Sequence, residues 1–99
     1  MLKVPANLQG VLWSRDVANL DIEVDKVYII HQVLMYGSLQ QMKWLREVYS
    51  EAEVKNTFMF TPKKLYTDSA FNFVKNYFLG ISETLPKEYY VKNLPRSIR

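Results

Sequence analysis

The chain has one histidine, His31, and no cysteine, so imidazole and thiol chemistry can centre on a single position only. A catalytic triad needs a nucleophile beside the histidine, and a metal centre needs several converging ligands. Positions 27, 28, 34 and 35, one helical turn from His31, carry no carboxylate. We therefore predict a buried core histidine, hydrogen-bonded to backbone or to a tyrosine, with a pH-sensitive role left open. No enzyme activity, cofactor or metal is expected.

Four acidic residues precede the first long apolar segment and raise the question of a cation site: Asp16, Asp21, Glu23 and Asp25. A calcium loop of the EF-hand type needs a glycine at its sharp turn and a different ligand spacing. Favourable electrostatics at a helix N-terminus explains these acids better.

Lysines around the last predicted helix suggest contact with an anion. The net charge is +3, and no dense basic stripe is present. A small nucleic-acid-binding transcriptional regulator is therefore kept as an alternative function, with Lys63, Lys64 and Lys75 as its contacts. A helix-turn-helix is disfavoured, because Glu51 and Glu53 would stand at the end of the helix that should approach bases.

The elements that must position these residues are helical. Apolar residues recur at helical spacing over 22–36, 39–49, 51–58 and 68–79, and no alternating strand pattern is present. These patterns predict an all-α fold, a compact bundle of about four short helices with an irregular N-terminal arm and a C-terminal tail.

Start and stop signals separate the predicted helices. Asp21 is the expected N-cap of the first helix, and Gly37 is expected to end it in a left-handed conformation. The other signals are the Ser38 cap, the Ser50–Glu53 capping box, the Thr67 cap and the stop at Gly80.

The chain is predicted to divide at Gly80. Residues 1–80 form a single helical domain with its arm, and 81–99, which contain two prolines and no sustained period, form an extended or partly disordered tail. No signal-peptide pattern and no apolar run of about 20 residues is present, so a cytoplasmic location is expected.

Aromatic residues are abundant, with 7 Tyr, 5 Phe and 2 Trp. Most are expected in the core, and a loop or single helical turn is expected to pin Trp13 against the body. The surplus predicts a docking surface for a protein partner, for which we select Trp13, Tyr66, Tyr89 and Tyr90. Oligomeric state and partner identity do not follow from the sequence.

Three stretches carry a family resemblance: VLWSRDVANLD, HQVLMYGSLQQMKWLREVY and KKLYTDSAFNFV. Over about residues 8–81 they resemble a family of small uncharacterised all-helical bacterial proteins. The matching positions are Leu12, Trp13, Asp16, Leu20, Asp21, Val33, Leu34, Tyr36, Gly37, Trp44, Leu45, Tyr49, Lys63, Lys64, Leu65 and Phe73. The chain departs from the family pattern at Ser14, where an acid is usual, at Gln32, where Arg is usual, and at Phe73, where Trp is common. Lys63 and Lys64 also replace arginines of the pattern, which weakens any bidentate contact with a carboxylate or phosphate.

Members of that family are often encoded next to abortive-infection-type nucleotidyltransferase toxins. The resemblance therefore implies a non-enzymatic protein-binding module, an antitoxin-like or accessory component of a toxin–antitoxin pair. It implies no catalytic residue.

Overall fold

Four α-helices build the part of the chain that the computed structural model describes, residues 4–92. They are α1 (Lys26–Tyr36), α2 (Leu39–Val48), α3 (Glu51–Phe60) and α4 (Asp68–Phe73), and α4 runs directly into a π-helical turn, Val74–Phe78. Short 3₁₀ turns lie at Ala6–Leu8, Val17–Asn19 and Lys87–Tyr89. Within residues 4–92 no named strand is present, so the all-α prediction is confirmed.

The predicted caps of α2, α3 and α4 are formed. Ser38 Oγ accepts from the Gln41 backbone N–H, and the Gln41 side chain accepts from the Ser38 N–H, which completes a capping box. Ser50 and Glu53 form the same reciprocal pair at the start of α3. Thr67 accepts from the Ala70 N–H at 3.1 Å. These caps depend on local sequence alone, because each bond spans three residues.

Helix α1 begins at Lys26 rather than at Ile22, so the predicted start was wrong by one turn. Asp21 does cap a turn: its carboxylate accepts from the backbone N–H groups of Glu23 and Val24 at 2.8 and 2.9 Å. Asp25 in turn accepts from the Asp21 N–H at 2.9 Å. The carboxylates thus satisfy the backbone of a separate turn that leads into the helix.

Gly37 is needed for space rather than for a left-handed conformation. Gly37 does end α1 as predicted, but its φ of −78° and ψ of 157° are extended, which corrects the predicted left-handed conformation. A Cβ at this position would lie 2.7 Å from the Val33 carbonyl oxygen and 3.3 Å from Gln41 Cβ. The α1–α2 joint is therefore too tight for a side chain. Gly80, with φ of 62°, is the position that does use the left-handed region.

The fourth helix is shorter than the predicted 68–79, because its second half widens into the π turn. The Leu79 N–H donates to the Val74 carbonyl at 2.8 Å. The Arg46 guanidinium lies 4.3 Å from the centre of the Phe78 ring and donates to the Phe78 carbonyl. A cation from α2 thus stabilises the end of the widened turn.

The core takes residues from the arm and from beyond Gly80 as well as from the helices. Leu8, Leu12, Leu20 and Ile22 are buried ahead of α1, and Ile81, Tyr90 and Val91 are buried after the π turn. Residues 81–92 of the predicted tail therefore pack on the helices. Residues 93–99 of that predicted tail lie outside the described residues.

An aromatic cluster joins this last segment to α3 and α4. The Tyr90 ring lies 4.9 Å from both Phe58 and Phe71, and Tyr66 lies 5.6 Å from Phe58. Tyr66 and Val91 form an isolated parallel bridge. Long-range contacts of this kind place residues 81–92 in the same core as α3.

Candidate interaction surfaces

His31 is fully buried, and both of its ring nitrogens have partners. Nε2 lies 2.7 Å from the Thr61 carbonyl oxygen, and Nδ1 lies 2.7 Å from the Tyr66 hydroxyl. Because a carbonyl only accepts, the neutral ring carries its proton on Nε2 and Nδ1 accepts from the Tyr66 O–H. The prediction of a core histidine bonded to backbone or to a tyrosine is confirmed.

The surroundings of His31 favour its neutral form. Burial lowers the pKa of His31 from 6.5 to about 4, and the nearby Lys63 charge acts in the same direction. Burial also raises the pKa of Tyr66, which keeps its hydroxyl a donor. The pair therefore acts as a structural hydrogen bond between α1 and the segment after α3.

Residues 4–92 contain neither a metal-binding cluster nor a membrane-spanning helix. No group of three or more His, Asp or Glu side chains there is arranged to hold a metal ion. None of the helices in that range is both long and apolar enough to cross a bilayer.

Trp13 is the most prominent aromatic residue presented by the arm. Its side chain is 55% exposed, and its ring meets the Tyr36 ring edge-on at 4.5 Å. The neighbouring Leu12, fully buried, is the residue that anchors this loop to the body. The loop was expected to pin Trp13 against the body: its ring does contact Tyr36 of α1, but more than half of the side chain reaches the surface.

Side chains hold the backbone around Trp13 in one conformation. The Gln9 amide donates to the carbonyls of Leu12 and Arg15 and accepts from the Val17 N–H, at 2.7 to 3.1 Å. Gln32 of α1 donates to the Val11 carbonyl at 2.9 Å. The loop that carries Trp13 is thus tied on both sides.

A second set of contacts fixes the far end of this loop. The hydroxyls of Ser14 and Tyr28 are 2.8 Å apart, and Arg15 pairs with Asp25 at 3.2 Å. Ser14, one of the departures from the family pattern, is therefore part of the loop's support. We call the exposed pair of Trp13 and Tyr36 the Trp13 surface.

The other predicted partner contacts divide between surface and core. Tyr89 is 57% exposed. Tyr66 and Tyr90 are buried, and the Tyr90 hydroxyl donates to the Phe58 carbonyl at 2.6 Å. This corrects their predicted placement on a docking surface: the bridge between Tyr66 and Val91 turns both rings inward. No local sequence motif predicts this bridge, because its two residues lie far apart in the chain.

The lysines predicted to contact nucleic acid differ in exposure and in their hydrogen bonds. Lys63 and Lys64 are exposed on the segment between α3 and α4. Lys75 donates to the Ile81 carbonyl at 3.0 Å and to Asn76 at 3.3 Å, so its ammonium is used within the fold. Lys92 is not among the predicted nucleic-acid contacts. Its backbone N–H donates to the Tyr66 carbonyl, so Lys92 lies beside the segment of Lys63 and Lys64.

A further exposed aromatic pair lies on the last helical segment. Phe73 of α4 and Tyr77 of the π turn stack at 6.3 Å, and Tyr77 is 80% exposed. Because they are four residues apart, their stacking follows from helical spacing alone.

These observations define an all-α domain that presents aromatic side chains from a supported loop. The chain belongs to the family of unknown function DUF6922, whose sequence profile matches residues 8–58. That range holds the Trp13 surface together with Gln9 and Gln32, and it stops before Lys63. Searches of curated proteins and of solved structures returned no match.

Proposed function

We propose that this protein is a non-enzymatic protein-binding module that acts in the cytoplasm as the antitoxin-like or accessory component of a bacterial toxin–antitoxin pair. The observation that carries the proposal is Trp13, which is 55% exposed on a loop held by Gln9 and Gln32. Tryptophan and tyrosine are the residues most often responsible for binding energy at protein interfaces.

The support around Trp13 favours binding because it lowers the entropy lost on association. A free loop must be ordered when a partner docks, whereas this loop is already held by side chain–backbone hydrogen bonds. The family resemblance also covers this surface, since Leu12, Trp13 and Tyr36 all match the pattern of the toxin-associated family. Burial of His31 with both nitrogens engaged supports the non-enzymatic part of the proposal.

Co-expression with the product of the neighbouring gene tests this function. We expect the neighbour to be toxic alone, to be relieved by this protein, and to be retained with it in a pull-down. Trp13→Ala should weaken retention by about tenfold or more, because truncating a central aromatic anchor commonly costs 2 kcal/mol or more. The melting temperature should change little, since the ring is half exposed.

Tyr77→Ala is the matched control, because it removes an exposed aromatic ring outside the range of the family match. It should bind as the wild type does. A non-toxic neighbour, or a toxic one that is neither bound nor relieved, would overturn the proposal.

A further inference from the structure

One edge of the molecule combines lysines with exposed aromatic rings. It consists of Phe60, Lys63, Lys64, Tyr89 and Lys92, which we call the basic–aromatic edge. Phe60 is 74% exposed and Tyr89 57% exposed, and all three lysines are exposed. None of these residues belongs to the Trp13 surface.

Backbone pairing holds the two halves of this edge together. The Tyr66 N–H donates to the Tyr90 carbonyl at 2.9 Å, and the Lys92 N–H donates to the Tyr66 carbonyl at 3.0 Å. The Tyr90 hydroxyl bonds the Phe58 carbonyl at the end of α3. Residues 58–66 and 89–92 therefore form one hydrogen-bonded unit, although more than 20 residues separate them in sequence.

The charge of this unit is unbalanced. Residues 58–66 and 89–92 contain three lysines and no acid. Three other lysines form ion pairs: Lys26 with Glu53, Lys55 with Glu51, and Lys87 with Asp68. Within residues 4–92, Lys63, Lys64 and Lys92 form no ion pair of this kind. These three charges are therefore available to an anion from outside the described chain.

Exposed rings beside these charges indicate which anion fits. Proteins that hold single strands combine cationic contacts to phosphates with aromatic rings on which bases stack. Duplex recognition relies instead on an element that enters a groove, and an exposed Phe or Tyr stacks poorly on paired bases. An acidic protein segment would use the lysines, but its negative charge does not require a flat ring to stack on Phe60 and Tyr89.

We propose that the basic–aromatic edge binds single-stranded nucleic acid, with Lys63, Lys64 and Lys92 on phosphates and Phe60 and Tyr89 stacked on bases. The activity is separate from the binding function of the Trp13 surface. It extends the nucleic-acid alternative by replacing Lys75 with Lys92 and by adding the two rings.

Fluorescence anisotropy with a labelled 20-nucleotide oligothymidylate tests the proposal on the chain of residues 1–99. About three phosphate contacts predict a salt slope near −2, so affinity should fall roughly 20-fold between 50 and 200 mM salt. The triple variant Lys63→Gln, Lys64→Gln, Lys92→Gln should lose at least tenfold in affinity. Phe60→Ala and Tyr89→Ala should each lose about fivefold or more, since they remove a stacking platform.

Controls distinguish this site from general attraction to a cationic protein. Lys43→Gln removes one exposed lysine from α2, and Tyr77→Ala removes an exposed ring, so neither should change affinity more than twofold. Unlabelled polyglutamate and an unlabelled 20-base-pair duplex serve as competitors and should displace the labelled single strand weakly.

Absence of binding at 50 mM salt, or binding that the triple variant leaves intact, overturns the proposal. Equal competition by polyglutamate overturns it in favour of an acidic protein partner, and equal competition by duplex overturns its single-strand specificity. If the triple lysine variant loses affinity but Phe60→Ala and Tyr89→Ala do not, the proposed stacking of bases on these rings is wrong. Circular dichroism of each variant checks that the fold is retained.

Discussion

His31 shows how a residue type associated with catalysis can serve as a structural tie. Its imidazole bridges a carbonyl that can only accept and a hydroxyl that donates, which leaves no lone pair or proton for a substrate. The ring also lies against Phe58 and Tyr66, at 6.1 and 5.8 Å between centres. Neutrality follows from this setting, because a charged imidazolium would lose its solvation there.

Acid should therefore destabilise the fold through His31. Well above pH 6.5 the residue is neutral in both the folded and the unfolded chain. Between pH 6.5 and about 4 the unfolded chain binds a proton that the folded chain does not, so the free energy of unfolding falls as the pH falls. The loss across this window should approach about 3 kcal/mol, at 1.36 kcal/mol per pKa unit. Urea denaturation at a series of pH values measures it.

Replacing the imidazole separates this titration from that of the carboxylates. His31→Leu should cost about 2 kcal/mol at pH 7, because it leaves the Tyr66 hydroxyl and the Thr61 carbonyl without their partner. The deficit should shrink as the pH approaches 4. If the two proteins keep a constant difference across that window, His31 is not the group responsible.

Tyr66→Phe completes the comparison at the same site. It removes one hydrogen bond of the pair and should cost about 1 kcal/mol. The double variant with His31→Leu should cost less than the sum of the two single variants, since the interaction can be lost only once. Strictly additive costs would contradict the direct bond.

Burial of single residues was predictable where it followed from helical periodicity and not where it followed from tertiary pairing. The place of His31 on an apolar arc of α1 was enough to predict its core position. Tyr66 and Tyr90 lie outside regular helices, and their burial depends on a bridge between residues far apart in sequence. In the loop before α1, Leu12 is buried and Trp13 is exposed. The sequence does not show which of two adjacent apolar residues is buried, because an irregular loop has no helical periodicity.

At the scale of elements, the joint between α1 and α2 depends on a close approach of backbone and side chains. Gly37→Ala places a methyl group 2.7 Å from the Val33 carbonyl oxygen, so the joint must open or distort. We expect a loss of about 1–3 kcal/mol in the free energy of unfolding, typical of overpacking. Chemical denaturation at pH 7 measures the loss.

Gly10→Ala is the matched control for this substitution. Nothing lies within 4 Å of a Cβ built at Gly10, so the added methyl meets no obstacle. The variant should be neutral, or stabilised by up to about 1 kcal/mol because the unfolded chain loses freedom. Equal losses at both glycines would show that glycine flexibility, rather than space, matters at position 37.

Element boundaries followed the sequence where capping is local. Ser38, Ser50 and Thr67 each satisfy N–H groups within their own first turn, so their motifs carry enough information. The π turn after α4 involves Arg46 from α2, whose partner lies 32 residues away. A boundary set by that contact cannot be read from the local pattern of 68–79.

At the scale of the whole molecule, the position of the domain boundary decides what a folded unit of this protein contains. The sequence predicts a domain that ends at Gly80. Ile81, Tyr90 and Val91 are buried in the same core as α3, and Tyr66 uses both of its backbone groups to pair with residues 90 and 92. A chain cut at residue 80 would expose that core and leave two buried backbone groups unpaired.

Truncation after Gly80 should therefore abolish cooperative folding. Each large apolar side chain lost from the core removes about 2 kcal/mol, and each unpaired backbone group costs about 1–3 kcal/mol. Together these losses reach the whole stability of a small domain, about 5–15 kcal/mol. Thermal denaturation followed by circular dichroism should show a sharp transition for residues 1–99 and none for residues 1–80.

Truncation after Lys92 is the control for this experiment. It keeps every contact described for residues 4–92 and should preserve the transition, which assigns the effect to residues 81–92. Tyr90→Phe should lower stability by only about 1 kcal/mol, because it removes one hydrogen bond and keeps the ring. A chain of residues 1–80 that melts as cooperatively as residues 1–99 would restore the boundary at Gly80.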